Sequence, residues 1–440
     1  MKVFWLFRSH GLFGLALAVG ASAMIAADTA STPRPKQDAK GNPIRYAATG
    51  HVSNYDEANV GAYSLPDPLV MNSGKPVTDA LTWTTIRRPE LIALYEREIF
   101  GAVPAGAPKA TFEVVSNDVA AMDGTAVRKH VVMRLGEGER AVKVNVVLLV
   151  PVKAAGPVPV VLHMLFNDPP GITPPPAAPT AEGKAAAPRR SVSDIGPVAE
   201  ILARGYAYVA LRYTEIQPDA ATTFGSGVMA LAYAAGQTKP SPGEWGTITA
   251  WAWGASRVLD YLETDRAVNA KRVALVGHSR LGKATLWAGA RDTRFGAVFA
   301  SCSGEMGASL TRRDFGESLD DVAASFPWWL VSTFPKYAGR WSELPVDSHT
   351  VIALNAPRPV FATGGTEDLW ADPHGEFQAL VAAGPVYRLL GKKDVGATML
   401  PARDTPLIGG SLGFLYHTGK HTITDGDWKA FFEFVGRHFE

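Results

Sequence analysis

The sequence holds a single cysteine, Cys302, in 440 residues. No disulfide can therefore form within the chain, which excludes a disulfide scaffold. Neither sign of charge is in excess: 43 Lys and Arg against 42 Asp and Glu leave a formal net charge of +1. That balance gives no basis for a nucleic-acid partner, an anionic membrane surface or the steering of a strongly charged substrate. Beyond the first residues no apolar run is long enough to span a bilayer. No His/Asp/Glu spacing matches a metal site and no glycine-rich phosphate loop is found, so neither metal nor cofactor is expected. There is no internal repeat.

What is present is the composition of a globular enzyme with a large core, 47% hydrophobic and 19% charged, and a core of that size needs no disulfides. Residues 1–27 read as a signal peptide. Lys2 and Arg8 form its positive start, 11–19 its short apolar run, and Ala21-Ser22-Ala23 or Ile25-Ala26-Ala27 its cleavage site. Export to the periplasm or the medium is expected; a membrane anchor is the alternative, for which the run is short. Residues 28–60, polar and rich in Pro and Gly, read as a flexible linker, and 61–440 as a single catalytic domain.

Apolar periodicity predicts a helix over 80–100, with Leu91, Leu94, Tyr95 and Ile99 on one face. Strands are predicted at 127–135 and 142–152. Continuously apolar runs follow at 158–165, 206–211, 273–276, 298–300 and 359–363, suiting strands buried on both faces. Between them, Ile248, Ala252, Ala255, Leu259 and Leu262 mark an amphipathic helix, and Trp428, Phe431, Phe432 and Val435 mark a final one. The alternation predicts a doubly wound, mostly parallel α/β sheet with helices on both faces. A Pro- and Ala-rich stretch, 168–188, follows the 158–165 strand; it reads equally as an active-site rim or as a tolerated insertion.

The sharpest local signal is Gly277-His278-Ser279-Arg280-Leu281-Gly282-Lys283, between an apolar strand and a helix beginning near Leu281. A strand–turn–helix elbow lifts a serine hydroxyl clear of the sheet, and its cramped backbone demands small neighbours. The usual elbow has its second glycine where Leu281 stands; here the glycine falls at 282. A serine nucleophile needs a histidine base oriented by a carboxylate, in the chain order Ser, acid, His. The loop Glu367-Asp368-Leu369-Trp370-Ala371-Asp372 offers carboxylates, and His417 and His421 precede the last helix. His421 is the preferred base and His417 its rival. His130 and His163 sit in strand patterns, and His349 reads as a core histidine.

Together with Trp245-Gly246, Arg312-Arg313, Gly316-Glu317, Ala356-Pro357-Arg358-Pro359 and the late Gly419-Lys420-His421, the elbow resembles the glucuronoyl esterases of carbohydrate esterase family 15, over roughly 83–440. The resemblance implies hydrolysis of an ester between the uronate carboxyl of glucuronoxylan and a lignin alcohol, by a monomer without cofactor. It implies Ser279 as nucleophile, His421 as base, Arg280 as oxyanion stabiliser, and Lys283, Glu317 and Trp370 as sugar ligands. Many members carry a Glu after the strand that follows the elbow helix; here Ser301-Cys302-Ser303-Gly304 stands there. The acid is therefore assigned to Asp368, with Glu305 as alternative. Two other functions remain open: an acetyl-type carbohydrate esterase or general carboxylesterase, and an inactive polysaccharide-binding homologue.

Overall fold

Valine, leucine and isoleucine at every position of a strand leave no polar face, so both faces must be covered. The computed structural model, which describes residues 35–172 and 194–439, shows how. Nine strands form one sheet: β1 (Ala110–Ala120), β2 (Ala126–Leu135), β3 (Val142–Pro151), β4 (Val158–Leu165), β5 (Ala207–Arg212), β6 (Val268–His278), β7 (Ala297–Ser301), β8 (Val360–Gly365) and β9 (Leu412–His417). Their spatial order is β1-β2-β3-β5-β4-β6-β7-β8-β9. The pairs from β1 to β5 are antiparallel, and those from β5 through β4 to β9 are parallel.

Alternate residues of the central strands enter opposite cores. Val160, Leu162 and Met164 of β4 face one core, and Val161 and Leu165 the other. The first is covered by α1 (Thr247–Leu262), α2 (Arg280–Arg291) and α3 (Pro373–Leu389), the second by α4 (Asp425–Phe439). The predicted stripes of α1 and α4 are all buried, as amphipathic periodicity requires. Gly413 of β9 permits the close approach of α4, since a Cβ there would lie 2.8 Å from the Phe434 ring. Residues 80–100 are helical, with π-type turns at Trp83–Arg87 and Glu96–Phe100, and bury Leu91, Tyr95 and Ile99.

Two strands escaped the sequence reading. β1 is an edge strand, half exposed or more along most of its length and carrying Glu113, Ser116, Asn117 and Asp118, so it has no buried face to reveal it. β9 is short and broken by Gly413. Residues 37–60, part of the expected linker, meet residues 314–320. Thr49 bonds Asp320, His51 Nε2 meets Asp314 Oδ1 at 2.8 Å, and Asn54 Nδ2 donates to the Asp314 carbonyl at 2.8 Å. Polar and Gly/Pro-rich composition leaves the segment only a short 3-10 turn at Glu57–Asn59 and isolated bridges, but its side chains bond Asp314 and Asp320. The signal segment 1–27 and residues 173–188 of the Pro-rich stretch lie outside the described residues. No described helix is long and apolar enough to cross a membrane.

Candidate active site

The C-terminal ends of the parallel strands are where catalytic groups gather in such a sheet. β6 ends at His278, and Ser279 stands between it and α2 with φ 58° and ψ −129°. A positive φ is strained for a residue with a side chain, and such strain is held at functional turns by tight surroundings. The glycines supply that tightness. A Cβ at Gly277 would lie 2.3 Å from the Leu281 carbonyl oxygen, and one at Gly282 2.8 Å from Ser303 Cβ. The displaced glycine thus has a steric cause: position 282 faces the loop after β7, while Leu281 is buried in the core.

His421 lies on the loop between β9 and α4, and its Nδ1 is 2.6 Å from Asp368 Oδ2. Its ring centroid is 4.5 Å from that of His278, which brings it to the elbow. Asp368 follows β8 and is buried, whereas the His421 side chain is 36% exposed and so open to a substrate. His417 is differently placed. It ends β9, with Nδ1 3.1 Å from Asp427 Oδ1 and Nε2 3.2 Å from the Lys420 carbonyl. Burial would lower its pKa, but the bond and charge of Asp427 raise it; both nitrogens serve the fold.

Glu305, the alternative acid, points elsewhere. Its Oε1 accepts from Thr311 Oγ1 at 2.6 Å. Burial, opposed by that bond and reinforced by the Asp347 charge, pushes its carboxyl well above the usual range. Cys302, with φ 45°, is buried at the end of β7. Its Sγ, an Asp368 oxygen and a His421 ring nitrogen lie within 4.8 Å of one another, a grouping that could in principle ligate a metal ion. Here two of those atoms already bond each other, and burial with the charges of Asp368 and Glu376 keeps the thiol protonated.

Arg280 opens α2, and its Nη1 donates to Asp219 Oδ2 at 2.6 Å. Lys283, one turn on, is buried; its Nζ donates to the carbonyls of Ser303 (2.7 Å) and Glu305 (2.5 Å) and pairs with Glu317 Oε2 at 3.3 Å. Glu317 N donates to the Trp370 carbonyl at 2.7 Å, and the Arg45 guanidinium lies 5.9 Å from the Trp370 ring centroid. Lys283, Glu317 and Trp370 therefore form one connected group, with Trp370 partly exposed.

The family model described as glucuronyl esterase of fungi matches residues 177–391. A carbohydrate esterase from an unknown prokaryotic organism is 40% identical over 407 residues, covering 88% of this chain and 92% of that one. The solved glucuronoyl esterase from Solibacter usitatus superposes with a TM-score of 0.81 at 41% identity, covering 87% of this chain and 100% of that one. The chain belongs to carbohydrate esterase family 15. It is a glucuronoyl esterase of the α/β-hydrolase fold, a carboxylic ester hydrolase. A more distant family member, a 4-O-methyl-glucuronoyl methylesterase of Schizophyllum commune, is 26% identical over 76% of each chain.

Within this glucuronoyl esterase, sequence reasoning missed Asp219, Trp328, Trp329 and Glu376. Glu376, on α3, accepts from Gly304 N at 2.9 Å and Ser303 Oγ at 3.1 Å, so it holds the loop that packs on Gly282. Burial pushes its carboxyl up to about 8, against the bond from Gly304 N and with help from the Asp368 charge. No spacing signal marks these residues; only the Trp328-Trp329 pair beside Phe326 stands out in the sequence as an aromatic cluster.

Proposed function

We propose that the chain cleaves esters of glucuronic or 4-O-methyl-glucuronic acid in glucuronoxylan through a Ser279–His421–Asp368 triad and an acyl-enzyme. The observation carrying this reading is the 2.6 Å bond between His421 Nδ1 and Asp368 Oδ2 beside the strained Ser279 elbow, in a family whose relatives include a 4-O-methyl-glucuronoyl methylesterase. Asp368 accepts a hydrogen bond from Nδ1–H, which fixes the tautomer with Nε2 as the base. Ser279 Oγ attacks the uronate carbonyl as His421 takes its proton; the collapsing tetrahedral intermediate expels the alcohol, which receives that proton. Water activated by the same histidine then releases the uronate. The Arg280 N–H, at the start of α2, and its guanidinium stabilise the oxyanion, a type of contribution worth about 3–4 kcal/mol per donor. Lys283 and Glu317 bracket sugar hydroxyls and Trp370 covers a pyranose face.

The reading is tested by hydrolysis of benzyl glucuronate by the wild type and by Ser279→Ala. Turnover lost with the serine is the expected result; a folded wild type inert on uronate esters overturns it. Faster turnover of acetylated xylan or p-nitrophenyl acetate would favour an acetyl-type or general carboxylesterase. Saturable xylan binding without ester cleavage would favour the inactive polysaccharide-binding reading. We place the mature enzyme in the periplasm or medium, supported by the charge and small-residue pattern of 1–27, and propose that it is a monomer of one catalytic domain. N-terminal sequencing and light scattering of the exported protein test this.

A further inference from the structure

Arg280 is useful to an oxyanion only if its guanidinium is fixed, because a flexible arginine loses much of its benefit in ordering at the transition state. The residue that fixes it is Asp219, in the loop after β5. Its carboxylate is 6% exposed, against 25% for the Arg280 side chain. Four donors converge on it. Oδ2 accepts from Arg280 Nη1 at 2.6 Å and Tyr213 Oη at 2.9 Å, and Oδ1 from the indole nitrogens of Trp328 at 2.8 Å and Trp329 at 2.7 Å.

A buried carboxylate whose two oxygens each accept from two donors is held against rotation. The guanidinium it holds is also boxed by aromatic rings, 4.8 Å from the Trp329 centroid, 5.3 Å from Phe326 and 6.0 Å from Phe166. Phe326 and Trp329 themselves stack at 3.8 Å. Arg280 Nε is buried without a partner among the described residues, so the single ion pair to Asp219 sets the direction of the plane. The two indoles serve twice, as donors to the carboxylate and as walls of the box.

We propose that Asp219 is a positioning residue for the esterase reaction, acting only through Arg280, with Trp328 and Trp329 holding it in place. The inference rests on the reading of Arg280 as oxyanion stabiliser given above. The test is a double-mutant cycle of Asp219→Asn and Arg280→Ala, each assayed for kcat and KM on benzyl glucuronate and on p-nitrophenyl acetate. Asp219→Asn is expected to lower kcat about 10- to 100-fold, less than the about 10²–10³ of a deleted oxyanion donor because the guanidinium is still present but no longer held, with KM changed less than about threefold. In the Arg280→Ala background it is expected to change kcat less than about threefold, since a residue working only through Arg280 has nothing left to position.

A kcat unchanged by Asp219→Asn, or lowered equally in both backgrounds, overturns the proposal; the second result is what a merely structural role would give. Should Asp219→Asn not fold, Trp328→Phe removes one of the four donors. Its expected loss is about two- to fivefold in kcat, again absent without Arg280, and an equal loss in both backgrounds overturns the proposal. The two esters separate the failures. A wild type silent on the glucuronate but active on the acetate sinks the uronate reading and leaves the cycle readable on the acetate. Silence on both sinks both.

Discussion

Replacing Asp368 by Asn keeps the side chain's size and removes its charge. The carboxylate is 4% exposed and bonds His421 Nδ1 at 2.6 Å. In the transition state that ring becomes an imidazolium. Two unit charges about 4 Å apart attract by about 4 kcal/mol at an effective dielectric of 20, which is about 10³ in rate. Asn can also present its amide N–H₂ to Nδ1 and so select the wrong tautomer, an effect that brings comparable substitutions to about 10⁴ in kcat. The expected outcome is therefore a 10³- to 10⁴-fold fall in kcat on benzyl glucuronate, measured beside Tm to show that the variant folds. Glu305→Gln is the control. Glu305 is turned to Thr311, whose bond an amide oxygen can also accept, so kcat should change less than about threefold. If Asp368→Asn stays within tenfold of wild type while Glu305→Gln collapses, the assignment of the acid is refuted.

Three further outcomes follow from the geometry. His417→Gln removes the imidazole from the buried Asp427 Oδ1 and should cost about 1–3 kcal/mol of stability with kcat/KM nearly unchanged, whereas His421→Ala should abolish turnover at little cost in Tm; a His417 variant that is stable but inactive contradicts this. Glu376 holds its proton up to about pH 8 in the folded state, against an ordinary value of 4.5. The unfolded chain then binds fewer protons across that window, so its contribution to stability is present below pH 4.5 and lost as pH rises to about 8. The Tm of Glu376→Gln relative to wild type should accordingly rise between pH 5 and pH 8.5, and parallel Tm curves would contradict the buried protonated acid. Gly282→Ala places a Cβ 2.8 Å from Ser303 Cβ; overpacking of about 1–3 kcal/mol should appear as a lowered Tm together with reduced activity.

The parallel half of the sheet was legible because burial on both faces writes itself as unbroken apolar runs: 158–165 is β4 to the residue. β1 left no such trace, because an exposed edge strand can carry polar residues on either side. The elbow was legible for a different reason. Its glycines are demanded by contacts of 2.3 and 2.8 Å, and steric demands of that kind survive as residue identity. Asp219 was illegible by the same logic. It meets Arg280 across 61 positions of sequence and Trp328 across 109, and an aspartate after a proline in a loop is ordinary until the fold closes those distances.

The place proposed for the acid, after β8 and not after β7, fits the sheet's register. Ser301 of β7 pairs with Thr363 of β8, and Cys302 N donates to the Thr363 carbonyl at 2.7 Å. The loops after these two neighbouring strands therefore leave the sheet side by side. A carboxylate on either can reach the histidine on the loop after β9, so the acid can change strands while the base and the elbow stay where they are. With Asp368 supplying the charge, the position after β7 needs only a small, neutral side chain that packs against it, and the protonated thiol of Cys302 meets that requirement. A second ionised carboxylate at 302 would instead lie close to Asp368 and repel it, raising the pKa of one of the pair. Cys302→Glu is therefore expected to rescue Asp368→Asn partly and, with Asp368 present, to alter the kcat–pH profile. A kcat–pH profile of Cys302→Glu identical to that of the wild type would show that the two positions do not share the histidine.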